Sequence, residues 1–213
     1  MLGDIVNHQA RPTISRSLSP SRVRRVRHEL KRRDLQVVRV NTISPRFRSV
    51  TFAGEALAGF VSASIDDHVK FMFDAVGAEP VRRDYAPRRF DVAAPELTIE
   101  FALHGNGPAA RWAAQAAPGQ RAAVGGPRGS FIIAADHDWH LLAGDESALP
   151  ATARRLEELP GDTSAIVILQ VPDPADRRPL LSAAPFSVQW VADAPALIAA
   201  VHALELPAGE GYA

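Results

Sequence analysis

The chain has 213 residues, 46% hydrophobic and 23% charged, with a net charge of zero and no cysteine. This is the composition of an ordinary soluble globular protein with material for one large domain or two small ones. It excludes disulfides, cysteine-ligated iron–sulfur clusters and a thiol nucleophile, and no apolar run reaches the ~18 residues of a membrane span. Any electron handling therefore has to come from a bound cofactor.

The neutral total conceals a gradient. Residues 1–34 hold nine Arg or Lys against three Asp or Glu, and the remainder holds 15 against 21. The Pro- and Ser-containing residues 1–20 are expected to be disordered. The basic run Arg22 to Arg33 reads as a solvated arm or short helix ahead of the first strand. No stacking aromatics are interleaved with its arginines, which weighs against single-stranded nucleic acid.

From Leu35 the pattern becomes short strands separated by turn signals. Strands are expected at 35–40, 48–53, 68–73, 84–91, 97–103 and 120–125. The third shows strict alternation, with Val69, Phe71 and Phe73 on one face and Lys70 on the other. Between the last two lies a helix-forming stretch, 107–117, with a glycine-rich entrance. Six closely spaced strands and one helix suit a six-stranded antiparallel barrel. From His140 the period changes to strand–helix–strand: 140–144, a helix over 147–159, the doubly apolar strand 165–169, strand 186–191 and a helix over 195–204. That alternation predicts a smaller α/β domain with a parallel sheet. The expected units are 21–135 and 136–213.

Three segments carry chemistry. Arg82-Arg83-Asp84-Tyr85-Ala86-Pro87-Arg88-Arg89 sets several guanidiniums around one phenol at a strand end. A guanidinium can hold a pyrophosphate bidentately while an aromatic ring packs beside a heterocycle. His104-Gly105-Asn106-Gly107-Pro108-Ala109-Ala110-Arg111-Trp112 is a strand end, glycine turn and helix start, where free backbone amides favour phosphate. Gly125-Gly126-Pro127-Arg128 is a tight turn carrying one cation.

Together these motifs resemble the siderophore-interacting protein family, which are ferredoxin-reductase-like, FAD-dependent ferric-siderophore reductases. The resemblance runs from about Arg24 to Leu206. It implies an FAD-binding barrel followed by an NAD(P)H-binding α/β domain, with electrons passing from NADH or NADPH through FAD to Fe(III) so that Fe(II) is released. It implies cofactor contacts from Arg83, Asp84, Tyr85, Ala86, Arg88, His104, Gly105, Gly107, Pro108, Ala109, Ala110, Gly126 and Pro127. On the nicotinamide side it implies Gly144, Asp145, Glu146 and Ser147, and at the ferric chelate Lys70 and Arg128 as steering cations. The flavin performs the electron transfer, so no catalytic side chain and no protein-held metal are expected. The expected partner is a ferric siderophore or other ferric chelate, with no nucleic acid and no membrane, in a cytoplasmic monomer unless a partner covers an exposed sheet edge.

Two departures from the family pattern stand out. Ala86 occupies a position where the family has Ser or Thr, whose hydroxyl is expected to bond the flavin; losing one such bond is worth ~1 kcal/mol. Family members also continue past Ala213 into a strand, a helix and an aromatic-rich tail. Without that strand, the apolar segment 140–144 is expected to form a sheet edge. Both departures favour an alternative function, a flavin- or siderophore-binding protein without turnover. Asp136-His137-Asp138-Trp139-His140 has superficial metal-site spacing, explained as well by a linker entering a strand.

Overall fold

The protein is described by a computed structural model covering residues 22–74, 81–105 and 107–213. The expected disorder of 1–20 lies outside these residues. The first half contains β1 (Val23–Arg27), β2 (Arg32–Ser44), β3 (Phe47–Ala53), β4 (Val69–Phe73), β5 (Val81–Tyr85), β6 (Pro87–Asp91), β7 (Glu96–Ala102), α1 (Pro108–Ala114), β8 (Arg121–Gly125) and β9 (Gly129–Ile133). Seven strands form one curled antiparallel sheet in the order β5-β4-β8-β2-β3-β7-β6. It is a half-barrel of seven strands rather than a closed six-stranded can. The expected strand 84–91 is broken between Tyr85 and Pro87, because proline cannot donate to a ladder. Its two halves become the opposite margins of the sheet.

The basic segment is not a loose arm. β1 pairs antiparallel with β9, Val23 opposite Ile133 through Arg27 opposite Gly129. A Cβ at Gly129 would overlap the Val26 carbonyl, so glycine is what lets the strands close.

The half-barrel core follows from period-two alternation. In β4, Val69, Phe71 and Phe73 are buried and Lys70 is exposed. Phe71 is fully buried and touches the rings of Phe52, Phe73, Tyr85, Phe101 and Trp112 at centroid distances of 4.8–5.9 Å. Trp112, on α1, plugs one opening of the curl.

The second half contains β10 (Trp139–Gly144), α2 (Leu149–Glu158), β11 (Ser164–Gln170), β12 (Phe186–Val191), α3 (Ala194–His202) and β13 (Gly211–Tyr212). They form a parallel sheet in the order β12-β11-β10-β13. The edge expected at 140–144 is therefore partly covered by the chain's own tail: Gly211 pairs with Trp139 and Tyr212 with His140. No helix among the described residues is long and apolar enough to cross a membrane.

Several contacts tie the two sheets together. Asp176 is fully buried and accepts from Ser44 Oγ at 2.7 Å, Arg46 N at 2.8 Å and Arg46 Nε at 2.6 Å. Burial alone would raise its pKa, but these bonds, led by Arg46, outweigh it and hold the carboxyl below its ordinary value. Arg155 on α2 donates to the carbonyls of Ile133 and Ala134. Phe47, on β3, packs with Leu149, Leu156 and Leu169 of the second unit.

His137, His140 and Tyr212 form a ring cluster beside this junction, with His137 and His140 centroids 5.5 Å apart. Among the described residues, no group of three or more potential ligands gathers to hold a metal. His140 has no exposed surface, and burial, aided by the Arg155 guanidinium, lowers its pKa to about 4. The unfolded chain takes up a proton near 6.5, so this contribution is complete above that pH and is lost as pH falls toward 4. Urea midpoints should fall by the equivalent of roughly 3 kcal/mol across that window. His140→Leu should flatten this part of the profile, and an unchanged slope would remove the assignment.

Candidate flavin site

A cavity of about 350 Å³ lies where the end of β5 meets the start of α1 and the turn after β10. Small-molecule sites occupy roughly 300–1,000 Å³, so it can take a ring system and part of a chain leading from it. Arg83, Asp84, Tyr85 and Ala86 make one wall, His104 with Gly107 to Ala110 a second, and Glu146, Ser147 and Pro150 a third. Most of the expected cofactor residues, drawn from three separate stretches of chain, thus meet at one opening.

Each wall has a local cause. β5 is a margin strand, so Arg83 stays exposed; its recorded hydrogen bond goes to the Arg82 carbonyl, and no carboxylate among the described residues pairs with it. It is a guanidinium fork with donors to offer. Tyr85 is half-buried, tilted against Phe101 at 4.5 Å and edge-on to Phe71 at 5.9 Å. Burial pushes its phenol above the ordinary value while Arg83 pulls the other way, so the hydroxyl remains protonated near neutral pH. Asp84 borders the cavity, but its carboxylate is paired with Lys70 Nζ at 2.6 Å.

α1 begins with Pro108 at its first turn and has no side-chain cap, so no capping side chain takes up its early amides, and Ala109 and Ala110 line the cavity. The turn ahead of it uses Gly105 at φ 64°, a conformation that favours glycine. Gly105 therefore shapes the wall from behind rather than lining it.

On the third wall, Asp145 accepts from Ser147 N at 2.9 Å and from Ser147 Oγ, capping a short 3₁₀ turn. Its carboxylate is thereby committed to the turn. A Cβ at Gly144 would overlap that of Ala148, so Gly144 serves the close approach of the turn to β10. Glu146 is different: its Oε2 is buried and has no hydrogen-bond partner among the described residues. An acceptor left unsatisfied in a cavity opposite a guanidinium fork suits a molecule carrying both N–H donors and phosphate.

Five expected contacts lie elsewhere. Arg88 points away from the cavity and binds Glu157 through both terminal nitrogens, one at 2.8 Å, and Glu100 at 3.2 Å. Burial disfavours its charge, yet Glu157 and Glu100 more than compensate and raise its pKa, making it a clasp between the two units. Gly126 and Pro127 border a separate cavity, and Lys70 is engaged with Asp84. Arg128 follows that second turn, where its carbonyl accepts from His28 N.

Sequence reasoning missed Phe47, Glu100, Ala102 and Pro150 in the lining. Glu100 was detectable: it is a charge set between the apolar Ile99 and Phe101, buried and held by Arg178 at 2.6 Å and Arg88 at 3.2 Å. The others carry no signal beyond being apolar.

Comparisons with known proteins identify the family and the fold. The family model described as siderophore-interacting protein matches residues 137–213, and that described as siderophore-interacting FAD-binding domain matches 36–80 and 75–131. An NADPH-dependent ferric-chelate reductase of Escherichia coli is 36% identical over 91% of this chain and 85% of its own length. The ferric vibriobactin reductase ViuB of Vibrio cholerae is 31% identical over 82% and 73%. Among solved structures, a siderophore utilization protein from T. fusca superposes with a TM-score of 0.84 at 35% identity, covering 89% of this chain and 82% of that one.

Proposed function

The chain belongs to the siderophore-interacting protein family, and we propose that it is an NADPH-dependent, FAD-containing reductase of ferric siderophores and related ferric chelates. The observation that carries the proposal is the cavity that brings together Arg83–Ala86, His104 with Gly107–Ala110, and Glu146–Ser147. FAD, when bound, would supply the redox chemistry that couples a two-electron nicotinamide donor to one-electron reduction of iron. Ferrous iron is held less tightly by hard oxygen donors and is released.

The chain's own residues bind and orient. Arg83 would hold the pyrophosphate with help from the amides at Ala109 and Ala110, and Tyr85 would pack against the flavin or its ribityl chain. The Glu146 oxygen, unpartnered among the described residues, would accept from the carboxamide N–H of the nicotinamide. The clasps at Arg88–Glu157, Glu100–Arg178 and Arg46–Asp176 hold the second unit against the first and so keep the walls of the cavity in register. We take 21–135 as the FAD-binding unit and 136–213 as the nucleotide-binding unit of a cytoplasmic monomer.

The purified protein should be yellow, and anaerobic NADPH should bleach its flavin band. A colourless protein that takes up no added FAD would end this reading. Ala86, which lines the cavity, favours a second one, binding without turnover. Retained FAD that neither NADPH nor NADH bleaches would select it. Under the reductase reading, Ala86→Ser should speed single-turnover flavin reduction by about tenfold at most, the worth of one hydrogen bond, with FAD affinity little changed.

A further inference from the structure

A second cavity, of about 230 Å³, lies between the turn after β8 and the segment joining β1 to β2. Its polar lining is Arg27, His28, Glu29, Lys31 and Arg33. Arg33 is only 5% exposed. It donates from Nη1 to the carbonyls of Lys31 at 3.3 Å and Gly126 at 3.1 Å, and lies 5.3 Å over the Phe60 ring. Its Nε is buried with no hydrogen-bond partner among the described residues.

Neither Arg33 nor Arg27 forms an ion pair among the described residues; the Glu29 charge favours the Arg33 cation but does not offset its burial, and Glu29 itself pairs with Lys31 at the surface, at 2.9 Å with both side chains more than half exposed. Such an exposed pair contributes little and opens easily. Three cations against one carboxylate, one of them desolvated, leave this cavity with uncompensated positive charge. Burying a cation that its counter-charge does not offset is costly, and an anion in the cavity would relieve that cost. His28, fixed by a 2.8 Å bond to Ser130, adds a ring to the rim.

Position gives the cavity a use. β8 lies two strands from β5, roughly 10 Å in strand spacings, and Gly126 directly follows it. A Cβ at Gly126 would stand 3.7 Å from the carbonyl oxygen of His68, which precedes β4, the strand paired with β5. The cationic cavity and the flavin site therefore share the same end of the half-barrel.

Resting on the reductase reading above, we propose that this cavity seats an anionic oxygen arm, such as a carboxylate, of the ferric chelate. Arg27, Lys31 and Arg33 then select for negatively charged complexes, a role for the basic segment that its pairing with β9 makes possible.

The test uses the FAD-loaded protein and redox-inert gallium(III) complexes, so binding is read apart from turnover. Calorimetry with gallium(III) citrate, an anionic complex, should show roughly tenfold weaker binding and a shallower salt dependence for Arg27→Ala/Lys31→Ala. A gallium(III) trihydroxamate whose pendant amine makes it cationic should be bound within twofold by both proteins. Equal losses for the two complexes, no loss, or no binding of gallium(III) citrate by the unaltered protein would overturn the proposal. So would displacement of gallium(III) citrate by an equal concentration of inorganic phosphate, which would mark a general anion site. NADPH bleaching is measured on the same samples: bleaching retained while the binding test fails rejects this subsite alone, whereas absent bleaching rejects the reductase reading.

Discussion

Replacing Arg83 with alanine should weaken FAD binding by about a hundredfold while leaving the folding stability of the apoprotein within ~0.5 kcal/mol of the parent. The two halves of that expectation have one cause. Arg83 is exposed on a margin strand, and its recorded bond is to the neighbouring Arg82 carbonyl, so little in the protein depends on it. A guanidinium gripping a pyrophosphate forms two charge-assisted hydrogen bonds, each worth roughly 1.5–3 kcal/mol. Arg83→Lys should fall between the two, because lysine keeps the charge but loses the fork. Fluorescence titration of apoprotein with FAD, beside urea unfolding, separates the outcomes. Unchanged FAD affinity in Arg83→Ala would mean that the pyrophosphate lies elsewhere and that the cavity has been misread.

Arg83 also shows why parts of the site were legible in the sequence. A charge cluster interrupted by one tyrosine at the end of an alternating strand has few structural uses, and the glycine turn before Pro108 marks a strand-to-helix entrance. Their convergence could be expected because sheet closure brings the end of one strand near the start of the next helix. Arg88 was harder. It lies only five residues from Arg83, and nothing local distinguishes a fork waiting for phosphate from one already holding Glu157 and Glu100. Those partners are brought in by the second unit, through contacts that short-range patterns do not encode. The same limit explains β1. Arg22 to Arg33 reads as solvated because its apolar residues are sparse, yet β9 offers an open ladder and Gly129 permits the approach. Alternation predicted β4 correctly since its burial pattern depends on one face only. The expected helix over 147–159 takes in the end of a separate 3₁₀ turn at 146–148, because a side-chain cap such as that of Asp145 serves either kind of turn.

The second large effect is expected at Phe71, where stability and function can be separated. Phe71→Ala should lower the unfolding free energy by about 3–5 kcal/mol with an unchanged urea m-value, the range for deleting a buried aromatic side chain. The high end applies because the void cannot readily collapse. Phe71 sits among five other rings, including Trp112 and Tyr85, in strands that the sheet holds at fixed spacing. Its neighbour Lys70 provides the contrast: it is exposed and shares only a surface ion pair with Asp84, so Lys70→Ala should cost no more than ~1 kcal/mol. Function should follow through Tyr85, which rests edge-on against the Phe71 ring. Removing that support frees the phenol to tilt inward, so FAD affinity should fall, but less than for Arg83→Ala because the guanidinium remains. Phe71→Leu, which refills most of the volume, should recover more than half of the lost stability and most of the FAD affinity. A loss below 1 kcal/mol in Phe71→Ala would show that the half-barrel core relaxes around the site. Tyr85 would then need some other support, and the close coupling between the core of β4 and the flavin wall would have to be given up.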